Sequence, residues 1–75
     1  MKVLPINDDH PTYAAALVVM RAATWPAKIR RGSTFGFPGE HGYSEFWWDD
    51  WGRRFEIEKG MREFRTVWTV REVSP

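Results

Sequence analysis

The chain has no cysteine. Neither a disulfide framework nor a thiolate zinc site can therefore supplement its core, as happens in many proteins of this size, 75 residues. Net charge is also small: the formal balance is +1, too little to mark a nucleic-acid protein by composition. Long apolar runs are missing. The longest, Ala14 to Met20, falls far short of the ~20 residues a membrane span needs. The N-terminus lacks a basic region leading into an apolar run with a cleavage site, so no signal peptide is expected. These absences predict one small domain over residues 1–75 that is soluble, cytoplasmic and not in contact with a membrane.

Catalytic and metal motifs are missing as well. No serine or threonine lies in a nucleophile elbow, and Asp49-Asp50 are adjacent in sequence, as in a solvated turn. His10 beside Asp8 and Asp9, and His41 beside Glu40, lack the spacing that gathers several ligands on one ion. They read as a capping segment and a loop histidine. A chain this short has little room for both a core and a cleft of the ~300 Å³ that a small-molecule site needs. The expectation is a protein that is not an enzyme and uses no cofactor or metal.

What the chain has is aromatic side chains. There are twelve, eight of them within residues 35–55, and each buries ~150–250 Å² when packed, so aromatics alone can form most of a core. Charge is segregated along the chain. Lys28, Arg30 and Arg31 face Glu40 in one segment, Glu45, Asp49 and Asp50 stand alone in the next, and residues 53–75 carry six basic against four acidic groups. Surface patches of each sign follow.

Lys2 to Ile6, with Pro5, suits an edge strand or extended arm. Asn7-Asp8-Asp9 offers helix-capping oxygens and Pro11 fits a first turn, so a helix is predicted from about Pro11 to Thr24, stopped by Pro26. Its stripe is Tyr13, Leu17, Met20 and Thr24, with Leu17 and Met20 buried and the alanines outward. A second face of this helix meeting another protein is the alternative. Ala27 to Arg31 reads as a short strand, and residues 32–42, with four glycines and a proline, as a loop. Arg53 to Glu58 alternates with Phe55 and Ile57 inward; Phe64, Thr66, Trp68 and Val70 share one face of a last strand. Lys59-Gly60-Met61-Arg62 is read as the hairpin turn between them, which sets Glu56 near Arg65.

The stretch Ser44 to Arg54, SEFWWDDWGRR, fits a helix capped by Ser44 or a strand that turns at Asp49-Asp50-Trp51-Gly52. The density of Trp, Tyr and Phe favours the strand. Trp47 and Trp48 then point to opposite faces and Trp51 sits at the turn tip, so at least one tryptophan is accessible. The architecture predicted is α+β: one helix packed on a small antiparallel sheet of three or four strands.

Two binding readings follow. Trp47, Trp48, Trp51, Arg53 and Arg54 combine the residue types that fill pockets at protein interfaces, with Asp49 and Asp50 beside them. The other possibility for these aromatics is that all are core. Separately, Thr34-Phe35-Gly36-Phe37 resembles the Gly-Phe-Gly-Phe core of cold-shock and RNA-recognition-motif strands, with Arg30 and Arg31 just upstream. That resemblance implies single-stranded nucleic-acid binding through Arg30, Arg31, Phe35 and Phe37. Ser33, Thr34 and Pro38 depart from the pattern.

In size, lack of cysteine, tryptophan and arginine content and absence of catalytic motifs, the whole chain is similar to small phage-encoded proteins that inhibit host machinery, especially bacterial RNA polymerase. The resemblance implies a non-enzymatic protein-binding module that blocks host transcription by binding the polymerase, a large host complex, and excluding a sigma factor. Its place of action is then the host cell cytoplasm. Small phage anti-CRISPR proteins share the same features, which leaves that target open, and a structural piece of a phage particle is a third class.

Overall fold

Thr12 opens the one helix among the described residues. Its backbone is extended and its Oγ1 accepts the N–H of Ala15 at 3.0 Å, the N-cap arrangement that satisfies one of the free donors of a first turn. The computed structural model describes residues 8–73, and in them the chain runs β1 (Asp8–His10), α1 (Tyr13–Thr24), β2 (Ile29–Phe35), β3 (Ser44–Asp49), β4 (Arg54–Arg62) and β5 (Arg65–Val73). The expected arm at Lys2 to Ile6 lies outside the described residues. Asp8 and Asp9, expected as helix caps, belong instead to β1, where they stand opposite Val70 and Thr69 of β5, and the cap falls to Thr12.

The strands form one antiparallel sheet in the order β1-β5-β4-β3-β2. The sheet thus has five strands rather than three or four; β1 is the addition. α1 lies across one face. Ala16 and Met20 from the helix and Phe55, Ile57 and Val70 from the sheet are buried, with Tyr13, Leu17, Ile29, Trp47 and Trp68 packed around them. Leu17 is half-buried rather than enclosed. Tyr13 meets Trp68 edge to face, ring centroids 5.2 Å apart. Alternation along each strand sends Phe46, Trp48, Arg54, Glu56, Arg71 and Val73 to the other face, which no element covers among the described residues.

The hairpin β4–β5 corrects the expected turn. Glu63 and Phe64 form it, with φ of 53° and 64°, the pair of positive values a two-residue mirror-type turn requires. Gly60 lies within β4, opposite Val67. Glu56 consequently faces Arg71, six positions beyond Arg65, and Arg71 bonds Glu56 at 3.1 Å and Glu58 at 2.8 Å. The displacement is an even number of residues, so Trp68 and Val70 keep the core face. Phe64 does not: it sits at the turn tip, 98% exposed. β2 also runs further than expected. It passes through an irregularity between Arg31 and Thr34 and continues to Phe35, because Thr34 and Phe35 find partners in Glu45 and Ser44.

Candidate functional site

The hairpin of β3 and β4 builds the surface from a buried carboxylate. Asp49, 2% exposed, accepts the backbone N–H groups of Trp51 and Arg53 and the Nε of Arg53, all at 2.9 Å. Gly52 N–H bonds the Asp49 carbonyl at 3.1 Å, and Gly52 has φ 84°, the turn-and-bulge combination of a tight hairpin. Burial pushes the Asp49 carboxyl up, but the bonds from Arg53 and Trp51 outweigh it and hold the group below its ordinary range. Arg53 is tied inward. Besides Asp49 it reaches the Ala23 carbonyl at 3.4 Å and lies 5.2 Å from the Trp51 ring centroid and 5.9 Å from that of Phe55. It clamps the turn to the end of the helix and braces Trp51.

Trp47 is the inward member of the tryptophan pair. Its Nε1 donates to Glu45 at 3.1 Å, where Tyr13 and Tyr43 hydroxyls also donate at 2.8 and 2.7 Å. Glu45 is 4% exposed and Arg31 stands 3.5 Å from it. Burial raises the Glu45 carboxyl, and the three donors with Arg31 more than reverse this, leaving it lowered. The tyrosines respond oppositely: burial and then the bond to Glu45 push Tyr13 up to about 12, and Tyr43 is raised by the same causes. Every Glu45 oxygen is used in fixing the helix and Trp47 onto the sheet, so this cluster is a scaffold.

Trp48 is the outward member, 41% exposed. Its indole lies across β2 at Gly32: a β-carbon there would fall 1.9 Å from Cζ3 of Trp48. Only glycine admits this close approach. Trp48, Phe46, Arg54, Ser33, Gly52 and Val73, with part of Trp47, line a groove of about 650 Å³ on the uncovered face, and Trp51 stands at the adjoining turn, 63% exposed. Of the five residues expected to meet a partner, Trp47, Trp48 and Arg54 therefore line one groove, while Trp51 is exposed at the turn with Arg53 against its ring. Trp47 packs toward the helix and Arg53 is engaged internally.

The residues of the nucleic-acid reading are divided. Arg30 pairs with Asp50 at 2.9 Å and Arg31 turns to Glu45 on the helix side. Phe35, at the end of β2, and Phe37, in the following loop, are exposed. Sequence reasoning missed Trp25, which is 80% exposed and lines a second groove of about 420 Å³ with Arg21, Pro26, Ala27, Lys28 and Ile29. Its position between the helix end and Pro26 was the signal, since a residue held there by the following proline continues no stripe.

Comparison with protein-family models, curated proteins and solved structures finds no match to this chain. Among the described residues no group of three or more His, Asp or Glu is placed to hold a metal ion, and no helix is long and apolar enough to cross a membrane.

Proposed function

We propose that this protein is a non-enzymatic protein-binding module that acts by occupying a surface on a larger assembly. The observation that carries the reading is the open groove on the helix-free face of the sheet, lined by Trp48 and Arg54, beside a turn whose Trp51 is exposed. Aromatic anchors with arginine beside them, backed by a rigid scaffold, are the composition of binding hot spots. Asp49 and Arg53 fix Trp51, and Gly32 seats Trp48, so little side-chain freedom is lost when a partner docks.

The target proposed is bacterial RNA polymerase, with transcription initiation as the step blocked in the host cytoplasm; it rests on the resemblance in size and composition to phage inhibitors. Promoter-dependent transcription with purified polymerase, titrated with this protein, tests it. Dose-dependent loss of transcript supports the proposal. Full transcription at saturating protein removes the polymerase as target, and capture of a CRISPR effector complex instead moves the same module to that partner. The reading of the protein as a single-stranded nucleic-acid binder predicts oligonucleotide binding that weakens steeply with salt, through counterion release.

A further inference from the structure

β2 closes the sheet on one side, and among the described residues its hydrogen-bonded neighbour is β3 alone. In the next ladder, the N–H of Asp49 bonds the Arg53 carbonyl and its C=O accepts from Gly52, so the backbone groups of Asp49 point toward β4. An antiparallel ladder alternates hydrogen-bonded and non-bonded pairs. The pair of Ile29 with Asp49 is therefore non-bonded, that of Arg30 with Trp48 is bonded, and that of Arg31 with Trp47 is non-bonded. This turns the N–H and C=O groups of Ile29 and Arg31 outward along the edge. The same alternation beyond the irregularity turns those of Thr34 outward, opposite Glu45.

We infer that this edge takes an extended acidic segment of a partner protein by strand addition, with an apolar side chain of that segment in the Trp25 groove. The inference rests on the reading of the protein as a protein-binding module and names the chemistry of the partner, whatever assembly it belongs to. Charge selects the occupant. Lys28, Arg30 and Arg31 succeed one another along the edge, and Arg21 lines the groove at its start. Arg30 holds Asp50 only in an exposed pair, which a competing carboxylate can replace. Arg31 is more than half exposed and touches a Glu45 already served by three neutral donors.

A second copy of the chain is disfavoured at the same place. Antiparallel pairing of two β2 edges about Arg30 and Arg31 sets arginine against arginine, the like-charge opposition that protects sheet edges from self-association. Nucleic acid fits the charge but not the backbone. The outward carbonyls of Ile29, Arg31 and Thr34 need donors in a repeating pattern, which a peptide chain supplies and a phosphodiester does not.

Selection of random twelve-residue peptides displayed on phage against the immobilised protein tests the inference. The expected result is enrichment of sequences that alternate Asp or Glu with apolar residues and carry a Trp, Phe or Leu at one end. A synthetic peptide of the enriched sequence then shifts the amide resonances of Ile29, Arg31 and Thr34 and slows their hydrogen exchange. Lys28→Glu and Arg30→Glu, both at exposed positions, each weaken its binding at least tenfold, while Trp25→Ala weakens it without altering the circular dichroism spectrum. Enrichment of basic sequences, no enrichment, or shifts confined to Phe46 and Arg54 overturns the inference. So does an oligonucleotide that shifts the three edge amides, or a dimer mass in light scattering. Acidic peptides on β2 with no effect on polymerase remove only the polymerase target; polymerase inhibition with no peptide on β2 removes only the edge.

Discussion

Replacing Glu45 by glutamine asks whether a buried charge holds the helix to the sheet. The carboxylate is 4% exposed and receives Tyr13, Tyr43 and Trp47 at 2.8, 2.7 and 3.1 Å. Bonds to an ionised acceptor contribute about 1.5–3 kcal/mol each against about 0.5–1.5 for neutral ones. Glutamine keeps one acceptor oxygen and presents its amide to a tyrosine oxygen, so the geometry survives and the loss is about 1–3 kcal/mol. Total stability for a chain of 75 residues is roughly 4–11 kcal/mol. A Tm decrease of roughly 5–20 °C follows for Glu45→Gln. Glu45→Ala, which leaves the enclosed Tyr43 hydroxyl without an acceptor, costs more.

The pH dependence follows from the direction of the shift. Because the folded-state pKa of Glu45 is lowered, its stabilisation is complete above the unfolded-state pKa, about 4.3, and is lost as pH falls through the folded value. The gap in Tm between wild type and Glu45→Gln should be largest near neutral pH and close in acid. Thermal unfolding followed by circular dichroism across that range measures it. Equal stability of the two proteins at about pH 7, or a gap that widens in acid, refutes the reasoning.

Met20→Ala removes a fully buried side chain and should cost ~2–5 kcal/mol in chemical denaturation. Gly32→Ala puts a methyl group where the Trp48 indole lies; the exposed ring should swing away, seen as a change in tryptophan fluorescence with the fold kept. Glu63→Asn with Phe64→Gly places turn-compatible residues at two positive-φ positions and should raise stability by about 1 kcal/mol; a loss would mean that the turn lies elsewhere.

The helix was legible because its apolar spacing and the stop at Pro26 agree, and the β3–β4 hairpin because Asp49 and Gly52 hold fixed roles in a tight turn. The β4–β5 turn was not. Glycine normally marks positive φ, yet Glu63 and Phe64 adopt it while Gly60 stays in the strand. The register there is decided by long-range contacts, Ile57 against Val70 in the core and Arg71 between Glu56 and Glu58 outside, which local turn chemistry does not reveal. β1 was hidden for a related reason: the polar run Asp8–His10 has no strand pattern of its own and is held by its pairing with β5. Alternation correctly separated Trp47 from Trp48. It did not show that Arg53 is engaged within the fold or that Gly32 seats the Trp48 ring, since both depend on elements brought together by the topology.

The central claim is that Trp48 and Trp51 anchor a protein partner, and it is tested most directly by the equilibrium affinity of fold-intact Trp48→Ala and Trp51→Ala variants for purified RNA polymerase, measured beside the wild type. The wild type should bind, and at least one of the variants should lose at least ~2 kcal/mol, about thirtyfold in Kd, with unchanged circular dichroism. Binding that both variants retain at wild-type affinity, or no binding by the wild type, would contradict it.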